Sequence, residues 1–211
     1  MRKNNINNFQ KNSFIILKKL YFINDKEIKY KFLDLKEIFN NNNLFIMEIG
    51  FGDGDHIINM ALQFPNINFL GIELYKKGVC IVLKKIHLFK ITNVRIVYKN
   101  AYNILTKIKY ESFYGVHILF PDPWGKIKHY KRRLLNKSFT KIILLILINK
   151  GYIHICTDIK EYSKIISTYF LKEHAKFIQF KSINKSFISK CTKFQRKNNL
   201  KKYYEIIFQK K

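Results

Sequence analysis

The sequence predicts an α/β fold, a mostly parallel sheet with helices on both faces. Three observations predict it. From residue 44 onward, short apolar runs of strand length alternate with longer segments of helical pattern, the signature of βαβ units. The first run ends in three glycines at alternate positions, Gly50, Gly52 and Gly54, which suits a sharp strand-to-helix turn. The second run closes on an acid, Glu73, about twenty residues further on.

The elements follow in order. Residues 1–43 read as a basic, weakly patterned and partly ordered leader, with a short helix over Asp34–Phe39 and a polar spacer at Asn40–Asn43. Residues 44–211 read as one domain. Its strands are expected at Leu44–Ile49, Asn68–Ile72, Val94–Tyr98, Val116–Phe120 and Tyr152–Thr157, with late strands at Phe177–Phe180 and Tyr203–Phe208. Its helices are expected at His56–Gln63, Lys76–Phe89, Ala101–Lys109, Ser138–Asn149 and Glu161–Leu171. In such sheets ligands bind beyond the carboxyl ends of the strands, so the loops after strands are the places to look for chemistry.

Composition narrows the class. Hydrophobic residues make up 47% of the 211, enough for a sizeable core and far from a disordered composition. Lys and Arg number 40 against 14 Asp and Glu, a formal net charge of +26 that favours a polyanionic partner. Much of that surplus is Lys, which A/T-rich codons supply along with the abundant Asn and Ile, so the placement of Arg132 and Arg133 says more than the total. The cysteines Cys80, Cys156 and Cys191 are far apart, and the six histidines lack ligand spacing, so neither a disulfide framework nor a metal site is expected. The apolar run Ile142–Ile148 is too short to span a bilayer. The polar start Met1–Lys11 does not resemble a signal peptide, so a cytoplasmic chain with no membrane partner is expected.

Three segments carry the candidate chemistry. Glu48-Ile-Gly-Phe-Gly-Asp-Gly54 is an ExGxGxG turn; the dinucleotide fingerprint GxGxxG would need glycine at Asp55. Glu73 could accept from ribose hydroxyls, and Asn100, after the third strand, could contact an adenine. Pro121-Asp122-Pro123-Trp124-Gly125-Lys126 holds a carboxylate between two prolines. Beside it, Lys128, Lys131, Arg132 and Arg133 form a basic lip suited to an RNA backbone.

These segments, with Asn68-Phe-Leu-Gly-Ile-Glu73, Thr157-Asp158 and Thr192-Lys-Phe-Gln195, resemble the bacterial tRNA (guanine-N7-)-methyltransferase family over about residues 44–208. The resemblance implies a Rossmann-like class I methyltransferase with a seven-stranded sheet, and methyl transfer from S-adenosylmethionine to N7 of a guanine in the tRNA variable loop. It implies that Glu48, Glu73, Asn100 and Asp122 hold the cofactor, beside the turn glycines Gly50, Gly52 and Gly54; Asp122 is also expected to be catalytic, as a carboxylate facing the positive charge that develops on the guanine ring. It assigns tRNA to Lys126, Asp158, Thr192, Lys193, Phe194 and Gln195. Three positions depart from the family pattern: Asn100 stands for a usual Asp, Gly125 for a usual His and Gln195 for a usual Glu. The leader is shorter than the family's basic arm. Two other readings are compatible with the motifs: a methyltransferase acting on another acceptor, such as a different RNA base, and a catalytically decayed RNA-binding relative. Monomer and homodimer are both compatible with the pattern.

Overall fold

The computed structural model describes residues 8–23, 32–173, 177–180 and 202–211. The chain divides into two compact units, Met1–Lys109 and Tyr110–Lys211. Its sheet has seven strands, ordered β3-β2-β1 in the first unit and β4-β5-β7-β6 in the second. No helix among the described residues is long and apolar enough to cross a membrane.

The first unit holds helices α1 (Asn8–Tyr21) and α2 (Leu35–Phe39), then β1 (Leu44–Ile49), α3 (Asp55–Gln63), β2 (Ile67–Ile72), α4 (Lys76–Leu88), β3 (Val94–Val97) and α5 (Ala101–Leu105). Strands β1, β2 and β3 pair in parallel, with Ile49 opposite Ile72 and Ile72 opposite Val97. Five of the six residues of β1 and of β2 are buried, as expected of strands covered on both sides. Asp34 caps α2, its carboxylate accepting from the Lys36 N–H at 3.0 Å. The leader contributes to this unit. Leu17 of α1 is buried, Phe14 meets Phe22 and Tyr98 edge-on, and Phe22 forms a parallel bridge with Ile96 of β3.

One buried amide ties the return from α3 to the sheet. Asn93 Nδ2 donates to the carbonyls of Ala61 and Phe64 at 3.1 Å and of Ile67 at 2.8 Å. It thereby ties the end of α3 to the start of β2 through three carbonyls.

The second unit holds β4 (Phe113–Leu119), a short 3-10 helix (Ile127–Arg132), α6 (Lys137–Ile146), β5 (Leu147–Thr157), α7 (Lys160–Leu171), β6 (Phe177–Phe180) and β7 (Tyr204–Lys210). Strands β4 and β5 are parallel, while β7 runs antiparallel to both β5 and β6. Phe170 of α7 stacks on Phe208 at 5.0 Å and meets Phe177 edge-on at 5.2 Å, joining helix and strands through a shared aromatic core.

The larger differences from the sequence expectation fall at three places. The helix expected to reach Lys109 stops at Leu105, because the backbone at Lys107 and Lys109 bonds with Leu33 instead. The helix expected to reach Asn149 stops at Ile146, and Leu147 pairs with Phe113 as the start of β5. In an apolar run, periodicity does not separate a buried helix from a buried strand. The fourth strand begins at Phe113 and ends at Leu119, since Phe120 turns to φ +54°.

Asn93→Ala should lower stability by about 1–3 kcal/mol, because it removes the one amide donor shared by three carbonyls. Urea denaturation measures this, and a loss below about 0.5 kcal/mol would mean that water replaces the amide.

Candidate active site

The expected site residues fall at strand ends of both units. In the first unit, β1 leads into Gly50, Gly52 and Gly54, with φ of +77°, +57° and +74°. All three adopt the left-handed region that side chains avoid, so the alternate glycines are a backbone requirement. The Gly50 N–H donates to the Ile72 carbonyl at 2.8 Å, and Gly54 opens α3 as its N-cap.

Glu73 holds this turn shut. One carboxylate oxygen accepts from the Gly52 N–H at 2.7 Å, and the other accepts from the N–H groups of Leu74 and Tyr75 at 2.6 and 2.9 Å. Three of its roughly four acceptor sites are therefore used inside the protein. Glu48 is buried, and its carboxylate faces His56 Nδ1 at 2.8 Å. Asn100 lies at the start of α5, where its side-chain oxygen accepts from the Tyr102 N–H at 2.9 Å. That cap already engages the side-chain oxygen, the atom able to accept from an adenine amino group.

Two residues that the sequence reading passed over complete the turn. Gly78 lies in α4 directly against Gly52: an added Cβ would collide with the Gly52 carbonyl. Lys85, about two helical turns further on, donates to the Asp53 carbonyl at 3.0 Å and pairs with Asp55 at 2.6 Å. A glycine inside a helical pattern was the available signal for Gly78; nothing local marked Lys85. Gly54 is also packed, since a Cβ there would collide with Val82. At Gly50, by contrast, a Cβ would meet nothing within 4 Å. The turn is thus clamped from beneath by α4 and open at Gly50, the shape needed for a ligand to approach the backbone.

In the second unit, β4 ends in a strained turn. Phe120 and Trp124 have φ of +54° and +44°, unusual for residues with side chains, and they flank Pro121-Asp122-Pro123. The Phe120 N–H donates to the Cys156 carbonyl at 2.8 Å, anchoring the turn to β5. Asp122 is exposed. Lys126, Lys128, Lys131 and Arg132 are exposed as well, with Arg132 over the Trp124 ring at 5.1 Å. Ile127 among them is 81% exposed, so the lip offers apolar as well as cationic surface.

Arg133 corrects the sequence reading, which placed it with the RNA-backbone contacts. It is only 8% exposed. Its Nε donates to the Pro123 carbonyl at 2.7 Å, and its guanidinium lies 3.6 Å from the Tyr130 ring centre and 4.7 Å from that of Tyr162. This is an internal brace that holds the Pro-Asp-Pro turn to α7. Burial pushes the Tyr162 phenol up to about 12, against a smaller downward effect of Arg133.

Asp158 follows β5 and is half-buried. It is not used as a helix cap: Ile159 occupies the N-cap of α7 without a side-chain cap bond, and the Ile159 N–H donates to Thr157 Oγ1 at 3.2 Å. The expected substrate residues Thr192, Lys193, Phe194 and Gln195 lie outside the described residues.

Comparison with known proteins gives the family and the fold. A family model described as "Putative methyltransferase" matches residues 42–206. The tRNA (guanine-N(7)-)-methyltransferase of Buchnera aphidicola subsp. Acyrthosiphon pisum (strain Tuc7) is 36% identical over 205 residues, covering 92% of this chain and 84% of the relative. The enzyme of the same name from Legionella pneumophila (strain Corby) is 42% identical over 137 residues, 64% of this chain and 61% of its own. Among solved structures, the 16S rRNA methyltransferase KamB matches with a TM-score of 0.61 at 11% identity, covering 85% of this chain and 94% of that one. The aminoglycoside resistance methyltransferase NpmB1 matches with a TM-score of 0.58 at 16% identity, covering 84% and 92%. At these identities the structural likeness concerns the fold, a Rossmann-like class I methyltransferase.

Gly78→Ala should cost about 1–3 kcal/mol or more and should weaken cofactor binding, since the methyl group meets backbone that cannot swing away. Calorimetric titration with S-adenosylhomocysteine checks this, and wild-type affinity would dissociate Gly78 from the turn. The two lip arginines should behave differently. Arg132→Ala should flatten the salt dependence of tRNA binding by about one unit of slope with little change in stability. Arg133→Ala should lose roughly 3 kcal/mol of stability. Equal effects of the two on slope and stability would contradict the division.

Proposed function

The chain belongs to the tRNA (guanine-N(7)-)-methyltransferase family, and from that premise we propose how its own residues serve the reaction. The enzyme transfers a methyl group from S-adenosylmethionine to N7 of a guanine in tRNA. The observation that carries this is identity over 92% of the chain to a relative of that name. The finer reading takes the guanine from the variable loop and places the reaction in the cytoplasm, where tRNA is available.

The glycine turn suits the cofactor, because it is open at Gly50 and rigid elsewhere. Glu48, Gly50, Gly52, Gly54, Glu73, Asn100 and Asp122 would hold it. Within that set the chemistry of the side chains divides the work. Glu73, with three acceptor sites already engaged, has room for about one ribose hydroxyl rather than two. Glu48 acts through His56 and supports the turn from inside. When bound, S-adenosylmethionine supplies an electrophilic methyl group on a sulfonium centre.

Guanine N7 carries an available lone pair, so the protein need not remove a proton to create a nucleophile. The main demand is positioning. Positive charge develops on the guanine ring as N7 is alkylated, and a fixed carboxylate opposes it. Asp122 suits that role, because two prolines and two left-handed residues leave its backbone little freedom. Lys126, Lys128, Lys131 and Arg132 hold the phosphate backbone. Asp158, not consumed as a cap, offers paired acceptors for the N1–H and N2 amino donors of guanine. A guanine engaged in tertiary pairing must be unstacked before its N7 is reached.

The purified chain, incubated with tRNA and the methyl donor, should yield 7-methylguanosine on nucleoside analysis. Asp122→Ala should lose at least about 100-fold in turnover while retaining much of the tRNA affinity, because its benefit is greatest in the transition state. Asp158→Asn should fold normally and lose methylation strongly. Methylation of a different base would overturn the substrate assignment; near-native turnover in either variant would remove that residue from the mechanism.

A further inference from the structure

In the second unit, three chemically mixed donors converge on one face of the sheet. His154 and Cys156 are two apart on β5 and so point the same way, and Glu205 of β7 sits opposite Cys156 in the antiparallel register. His154 Nε2 lies 2.7 Å from Glu205 Oε1 and 3.4 Å from Cys156 Sγ. One donor atom from each residue falls within 4.8 Å of the others. His154 and Cys156 are buried, and the Glu205 side chain is 31% exposed.

From this convergence we infer a binding site for a borderline-soft divalent cation of the zinc class, built from His154, Cys156 and Glu205. The donor set selects the ion. Nitrogen, thiolate sulfur and a carboxylate oxygen suit zinc, whereas magnesium and calcium require oxygen. The spacing suits it too. A tetrahedral ion with bonds of about 2.0–2.3 Å keeps neighbouring donors roughly 3.3–3.6 Å apart. The sulfur–nitrogen distance of 3.4 Å already meets this. The carboxylate must shift, away from Nε2 by about half an ångström and to within about 3.6 Å of Sγ, and it belongs to the one partly exposed residue of the three, which also gives the ion a path inward.

His154 is held in place by packing, with only 2% of its surface exposed. The His117 ring meets it edge-on at 5.5 Å, and His117 is itself held by the Tyr152 hydroxyl at 2.8 Å, so the ligand ring is packed into one orientation. A bound ion would cross-link β5 to β7 directly beneath Thr157 and Asp158. The site stands apart from the methyl-transfer reading and is read out by metal binding alone.

The full-length chain, stripped with a chelator, should be titrated with cobalt(II) chloride and then with zinc chloride. Expected are one cobalt ion per chain, a thiolate-to-cobalt charge-transfer band, its displacement by zinc, and a zinc-dependent rise in melting temperature. Cys156→Ser should abolish the band. Glu205→Gln should keep the band but weaken zinc binding about 10–100-fold, at least what the loss of an outer-shell partner costs. A wild-type chain without the band overturns the site, as does a band that survives Cys156→Ser, which would assign the thiolate to another cysteine. If Cys156→Ser fails to fold, Glu205→Gln decides: unchanged zinc affinity leaves only a hydrogen-bonded His–Glu pair.

Discussion

The backbone of Gly52 is gripped from two sides, and the first unit is organised around that grip. Its N–H is held by Glu73 at the end of β2, and its carbonyl is approached by Gly78 of α4 so closely that no side chain fits between. The turn must adopt left-handed φ at three residues in five to pass through this gap, and only glycine does so without strain. The close helix is also what brings Lys85 onto Asp53 and Asp55 and Val82 against Gly54. The openness at Gly50 is meaningful because everything around it is fixed. A loop free to collapse would fill its own cradle.

The second unit solves a comparable problem with different means. Instead of glycines, it uses two prolines and two side-chain-bearing residues at positive φ to hold one carboxylate in place. The strain is supported by the Phe120 bond to β5 and the Arg133 bond to Pro123. Both turns follow parallel strands and both are immobilised by groups remote in sequence. That is the general advantage of building sites at strand ends, where a rigid sheet supplies the reference frame.

Much of this was legible in the sequence. The strand–helix alternation, the glycine turn, Glu73 and the Pro-Asp-Pro-Trp segment all lie in contiguous stretches whose local chemistry announces them. The boundary at Ile146–Leu147 was not legible, because an uninterrupted apolar run satisfies helix and strand alike and only pairing with Phe113 decides between them. The burial of Arg133 was equally hidden. In the sequence it ends a basic run, and only the aromatic faces of Tyr130 and Tyr162 reveal that its partners are internal. The His154–Cys156–Glu205 cluster defeats spacing rules for the same reason. Two of its members are neighbours on one strand, but the third arrives from another strand through antiparallel pairing, and no local motif encodes that.

The buried guanidinium also bears on how this chain can change. Most of its cations are lysines, and where the described ones are exposed, one positive side chain substitutes for another with little consequence. At Arg133 the exchange is closed. A lysine would keep the charge but lacks the planar guanidinium that reaches both the Tyr130 and Tyr162 rings while its Nε donates to the Pro123 carbonyl. Mutational pressure toward A/T-rich codons would therefore erode arginine elsewhere and stall here. A pair of adjacent arginines that looks redundant in composition is divided into one that is replaceable and one that is not.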